Sequence, residues 1–208
     1  MNELNILDYA GVAVFAATGA LAASRKQLDI IGFLFFAIVT GVGGGTARDL
    51  ILGAPVFWTT DNAFLAVGAA VACVFFFTAH RIESRYRLLL WFDAVGLAGY
   101  AVYGAWKGLA ISGSPIVAIV MGVLTATLGG ILRDVLAGEP SVLMKREVYV
   151  TSAVVGAAGF VVLHAVLPML VAGAAAFVLA FALRAGALRF GWSVPSYKPR
   201  SGGPPKDP

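Results

Sequence analysis

The sequence predicts an all-α integral membrane protein: seven transmembrane helices, built as an inverted three-plus-three repeat with a seventh helix added. Three observations predict it. The 208 residues are 60% hydrophobic and 12% charged, with a mean hydropathy of +0.88. A soluble domain usually carries about 25% charged residues, so this chain has too little polar surface to face water all round. Seven apolar runs are each long enough to cross roughly 30 Å of hydrocarbon. Finally, one phrase occurs twice, GGTARDLILGAP at 44–55 and GGILRDVLAGEP at 129–140, 85 residues apart.

The runs fall at about 6–23, 29–52, 63–80, 88–110, 115–137, 148–166 and 169–189. The opening MNELNILDYA has no basic stretch and carries Glu3 and Asp8, so the first run reads as a retained span rather than a cleaved signal. Most charge lies between runs, in SRKQLD, HRIESRYR and MKRE. Backbone in lipid must satisfy its own hydrogen bonds, so each run is predicted helical. The runs lack the alternation of barrel strands. Trp58, Trp91 and Trp192 stand at run boundaries, where aromatic belts form. Residues 1–190 are expected to form one membrane domain, followed by a flexible tail at 191–208 rich in Pro, Gly and Ser.

With seven spans, the 23–29, 80–88 and 137–148 loops share a side with the tail. That side holds eleven of the basic residues, including Arg81, Arg85, Lys145 and Arg146. The opposite loops offer only Lys107, at a helix end. The positive-inside rule then predicts a cytoplasmic tail and an outward N-terminus. Arg81, Arg85, Lys145 and Arg146 are also candidates for anionic lipid, although setting orientation alone would explain them.

The 85-residue offset extends beyond the phrase. Asp8 matches Asp93, Gly11 matches Gly96, Thr40 matches Thr125, and Phe64 aligns with Tyr149. The units run over about 5–80 and 90–166, with helix seven at 169–189. Three spans per unit is an odd number, so the second copy enters from the opposite face.

The phrase carries the candidate site. Gly43, Gly44 and Gly45 lie mid-span, where each glycine costs about 1 kcal/mol relative to alanine, and Gly129 and Gly130 repeat this after Thr125 and Thr127. Such runs invite a kink or break whose freed backbone groups face a watery path. An Arg or Asp in a span costs at least about 2.5–3.5 kcal/mol on insertion scales, which points to function in Arg48, Asp49, Arg133 and Asp134. Neighbours on a helix project about 100° apart, so Arg48 and Asp49 are expected to seek other partners. Shared depth predicts Asp8–Arg48 at the outer end and Asp93–Arg133 at the inner end. Asp49 and Asp134 then remain for contacts between repeats or for the path. A purely structural reading leaves these pairs as static staples. His80 and His164 read as interfacial, and Tyr9, Tyr100 and Tyr103 line a path or pack a core. No catalytic spacing, metal cluster, nucleotide loop or cofactor motif is legible, and nucleic acid is not an expected partner. Cys73 stands alone, so no internal disulfide can form.

The doubled GG-x-x-RD phrase in a seven-span chain resembles the prokaryotic branch of the trimeric intracellular cation (TRIC) channel family, which overlaps bacterial proteins labelled glycine transporters. The resemblance covers about residues 5–190. It implies a homotrimer with a pore in each protomer, framed by kinked helices 2 and 5 and passing K⁺ and Na⁺. Gly43, Gly44, Gly45, Arg48 and Asp49 match one motif copy; Gly129, Gly130, Arg133 and Asp134 match the other. Leu128 stands where the first copy has Gly43, which implies a milder second kink. Animal members carry a voltage-linked lysine in helix 4; Lys107 lies near the outer end of that helix and is not equated with it. The competing reading is a transporter of a small solute such as glycine, working by alternating access; a scaffold without transport is a third.

Overall fold

The computed structural model describes residues 3–142 and 148–194, with side chains from residue 7 onward. Its helices are α1 (Glu3–Arg25), α2 (Ile30–Ile51), α3 (Phe57–Thr60), α4 (Ala63–Thr78), α5 (Arg85–Ser112), α6 (Pro115–Leu136), α7 (Val150–His164) and α8 (Met169–Phe190), with a one-turn 3₁₀ segment at Ala79–Arg81 after α4. Among the described residues, six helical segments have the length and apolarity of membrane spans. The sixth run, 148–166, yields a helix shorter than expected: α7 has 15 residues, about 22 Å of helix. Lys145, Arg146 and residues 195–208 of the tail lie outside the described residues.

Local chemistry sets the helix ends. Asp29 caps α2, its Oδ1 accepting from the Gly32 amide at 2.8 Å, and Ser114 caps α6 85 residues later, ahead of Pro115 at the first helical turn. After α2 and α6 the chain turns through Gly53 and Gly138, at φ 65° and 62°, a left-handed conformation that favours glycine. The short helix α3 is hidden in the sequence, since FWTT is one turn with no periodicity to read.

Helices α1, α2, α5 and α6 form the centre; α4 packs on α1 and α2, α7 on α5 and α6, and α8 on α5 and α7. Large apolar side chains such as Ile31, Phe35, Phe77, Ile116 and Val162 are exposed on the perimeter, as lipid-facing residues are. Small residues let the central helices approach. The Phe15 and Tyr100 rings stack at 5.3 Å; a Cβ on Gly96 would meet the Phe15 ring and one on Gly11 the Tyr100 ring. Each of these contacts recurs with the residues exchanged at the 85-residue offset.

The expected helix breaks are absent. Both α2 and α6 remain helical through their glycines. The glycines allow close crossing: a Cβ on Gly44 would overlap the Thr125 carbonyl, and one on Gly129 would lie 2.6 Å from the Thr40 carbonyl oxygen. Apolar packing in lipid supplies little drive for association, so backbone approach at small residues is what binds the two helices.

Candidate functional site: two buried charge clusters

The last turns of α2 and α6 carry the Arg-Asp pairs to opposite ends of the bundle. One end gathers Asp8, Arg48, Asp49 and Lys107; the other gathers Asp93, Arg133 and Asp134. All except Lys107 are buried, and the Lys107 side chain is 19% exposed.

The two ends share one backbone design. Asp49 Oδ2 accepts from the Phe57 amide at 3.0 Å, and Asp134 Oδ2 accepts from the Val142 amide at 2.9 Å. The Asp49 and Asp134 carbonyls accept from the Ala54 and Glu139 amides, each at 2.9 Å. Each aspartate therefore staples the chain that follows its helix. That anchoring corrects the expectation that Arg48 and Asp49 avoid each other. With Oδ2 held by Phe57, Asp49 turns Oδ1 toward the Arg48 Nε, at 2.8 Å. Arg133 does the same with Asp134, its Nε and a terminal nitrogen lying 3.0 and 2.9 Å from Oδ1.

The outward partners differ. Arg133 donates to Asp93 Oδ1 at 2.9 Å, the expected pair. Gly130 leaves room for it, since a Cβ there would lie 3.2 Å from that same oxygen. The expected Asp8–Arg48 ion pair does not form. Asp8 lies instead within electrostatic reach of Arg48 and beside Tyr103. The two terminal nitrogens of Arg48 are buried without a hydrogen-bond partner, and its guanidinium stands 5.2 Å from the Tyr103 ring centroid. Asp49 takes its second cation from the other half of the chain, Lys107 Nζ at 2.9 Å.

The midspan residues link the clusters. Thr125 and Thr127 donate back to the Met121 and Val123 carbonyls at 2.6 and 2.8 Å, which leaves their hydroxyls committed inside α6. Gly43 faces Leu132, and Gly45 faces the Phe57 ring. Of the basic residues proposed for lipid, Arg81 is exposed, but Arg85 donates to the Ala79 and Ser24 carbonyls at 3.0 and 3.2 Å. Tyr9 donates to Asp61 outside the clusters, and His164 stacks on Phe160.

Two cations escape sequence reasoning. Lys107 reads there only as a lysine near the outer end of its helix, with no partner assigned. Arg184, on α8, is fully buried with its guanidinium 5.1 Å from the Tyr149 ring centroid, where Asp93, Arg133 and Asp134 also exert their fields. A signal for it exists: an arginine within the 169–189 run has the same insertion cost that singles out Arg48.

Known proteins match this arrangement. A family model described as Glycine transporter matches residues 5–81 and again residues 90–165. The UPF0126 inner membrane protein YadS of Escherichia coli strain K12 is 35% identical over 202 residues, covering 92% of this chain and 94% of its own. A UPF0126 membrane protein of Vibrio cholerae is 42% identical over 158 residues, spanning 74% of this chain and 65% of its own. Among solved structures, the trimeric intracellular cation channel orthologue from Rhodobacter sphaeroides superposes with a TM-score of 0.89 at 50% identity, covering 92% of this chain and all of the other. A prokaryotic TRIC channel solved in 0.5 M KCl superposes with a TM-score of 0.86 at 25% identity, covering 92% of this chain and 98% of its own. These relatives are channels and membrane proteins rather than enzymes. A doubled family match, 50% identity to a solved relative and a shared helical fold together make this integral membrane protein a member of the prokaryotic TRIC family, the family described as Glycine transporter.

Proposed function

We propose that the protein is a monovalent cation channel, passing K⁺ and Na⁺ through a pore inside each protomer of a homotrimer. The observation that carries this reading is the pair of buried charge clusters at opposite ends of one crossed helix pair, α2 and α6. A bundle held only by packing has no use for ion pairs whose burial costs several kcal/mol per ion. The pairing also bears on selectivity. A free guanidinium in a path favours anions; Arg48 and Arg133 each bond a carboxylate, which leaves carboxylates and carbonyls to favour cations. The likeness to the Rhodobacter sphaeroides cation channel supports the same conclusion.

In this reading residues 1–190 form a seven-span membrane domain of two inverted three-helix units plus α8. The matching contacts at the 85-residue offset support the repeat. Gly43, Gly44, Gly45, Gly129, Gly130, Thr125 and Thr127 line or flank the path, and opening bends or parts α2 and α6 where they cross. The N-terminus lies outside and the tail in the cytoplasm. Arg81 and Lys145 meet anionic headgroups, together with Arg146 and whatever part of Arg85 its carbonyl bonds leave free. Liposomes of neutral and of anionic lipid test that contact; equal retention of the protein's lipid shell from both would remove it.

Purified protein in planar bilayers tests the main reading. Discrete K⁺ current steps support the channel. The second reading, a small-solute transporter, is favoured by the family's description, and silent bilayers with saturable uptake of glycine would establish it instead. Orientation is checked by a Ser196→Cys variant in a Cys73→Ala background. Labelling by an impermeant reagent in intact cells would reverse the assignment.

A further inference from the structure

At the Asp93 end, a narrow cleft runs from the surface to the buried cluster. Arg133 and Asp134 lie at its floor, Tyr86 and Leu89 along its wall, and Arg25 and Glu139 at its mouth. Its volume is about 10 Å³, just enough for one water. A cleft of that size has no room to hold a hydrated cation. The mouth is closed by chemistry: Arg25 donates to Glu139 Oε2 at 2.9 Å, Lys26 Nζ approaches Oε1 at 3.5 Å, and the Arg25 guanidinium stands 4.7 Å from the Tyr86 ring centroid. The ion pair ties the end of α1 to the chain after α6, across the route to Asp134.

Among the described residues the positions of this pair carry no charge at the other end, where the cation near the end of α5 is Lys107, bonded to Asp49 itself. At the 85-residue offset, Arg25 corresponds to Ala110 and Glu139 to Ala54. The Asp, Arg and Asp of the buried clusters are duplicated in the sequence, as are the Arg–Asp neighbour pairs; the surface pair is not. A contact needed for the fold of each unit would be expected in both. One present at a single mouth suits a device that makes the two ends unequal.

We propose that the Arg25–Glu139 pair is a latch on the Asp93-end vestibule, closed in this structure, and that parting it admits cations to Asp134. The proposal rests on the cation-channel reading. Both side chains are about a quarter exposed, 29% and 24%, so the pair is solvent-screened. Pairs of this kind bias a two-state equilibrium by only about 1.4- to 5-fold, which suits a contact that opens and closes thermally.

The test is K⁺ flux from proteoliposomes. Arg25→Gln and Glu139→Gln should each raise flux by about 1.4- to 5-fold. The charge swap, Arg25→Glu with Glu139→Arg, should return it toward the parent value. A second measurement does not depend on those variants keeping their fold. Arg25→Cys with Glu139→Cys, in a Cys73→Ala background, is bridged by a short bis-thiosulfonate and then released with reductant. Bridging should abolish flux and reductant should restore it. Full bridging with undiminished flux overturns the latch, as does lowered flux in both glutamine variants without recovery in the swap. A parent protein that carries no K⁺ at all overturns the cation reading instead.

Discussion

Gly44 lies against the Thr125 carbonyl with no room for a methyl group, and Gly129 lies in the same way against the Thr40 carbonyl. The neighbour is helix backbone in both cases and cannot rotate aside. Alanine at either site raises helix propensity by about 1 kcal/mol, yet forces α2 and α6 apart. The expected net effect is a destabilisation of about 1–3 kcal/mol for each variant, the usual range for overpacking. Thermal melts in detergent, followed by size exclusion, check the sign. A stabilised Gly44→Ala protein would mean that the glycines serve flexibility and not proximity.

Arg133 bonds two carboxylates and Arg48 one. Arg133→Ala is therefore expected to be the more damaging variant, at about 3–5 kcal/mol, because it strands a buried charge. Asp93→Asn should recover part of that loss. Asp8→Asn should recover less in an Arg48→Ala protein, since no ion pair joins Asp8 to Arg48. Melting temperatures of the four single variants and two doubles measure both comparisons. Equal rescue at the two ends would place Asp8 and Arg48 in a direct pair.

Much of this architecture is legible in the amino-acid sequence. Apolar run lengths locate the long helices, and the doubled phrase locates both clusters, because buried charge and repeated glycine are each too costly to be accidental. The Asp93–Arg133 pair follows from shared depth alone. Arg48 with Asp49 does not, because the neighbour rule assumes free side chains, while the Phe57 amide holds Asp49 in place. Arg184 has no repeat partner to draw the eye to it. The continuity of α2 and α6 is also illegible: three glycines are equally compatible with a broken helix and a closely crossed one, and only the position of the facing carbonyl distinguishes them.

Gly53 and Gly138 have left-handed backbone, and a Cβ on either would meet nothing within 4 Å. Alanine there tests backbone strain without any clash. Each substitution should destabilise by about 1–2 kcal/mol, with similar values at the two sites. A large difference in melting temperature between them would show that the two turns are loaded unequally.

Asp61 lies in the loop before α4, outside the spans. The hydrogen bond from Tyr9 holds its carboxyl below the usual value of 3.8, with help from the Ala63 amide and against a small opposing effect of burial. A depressed folded pKa contributes stability that is complete above the unfolded pKa and is lost as pH falls through the folded one. The window is thus below about pH 3.9. Melts between pH 5 and pH 3 should steepen in the parent protein and flatten in Tyr9→Phe. Identical profiles would remove Asp61 from the acid response.

The family match stops at residue 165, before α8 begins at Met169. A boundary drawn at the end of that family model would therefore keep both phrases and discard Arg184. That cut removes a cation from the surroundings of Tyr149, where Asp93 and Asp134 also exert their fields, and leaves two acids there beside Arg133 alone. What the family model matches is thus smaller than what is electrically complete. The helix that looks like an appendage to a symmetric body holds one of its counter-charges, so its loss should be felt first as an excess of negative charge at one mouth.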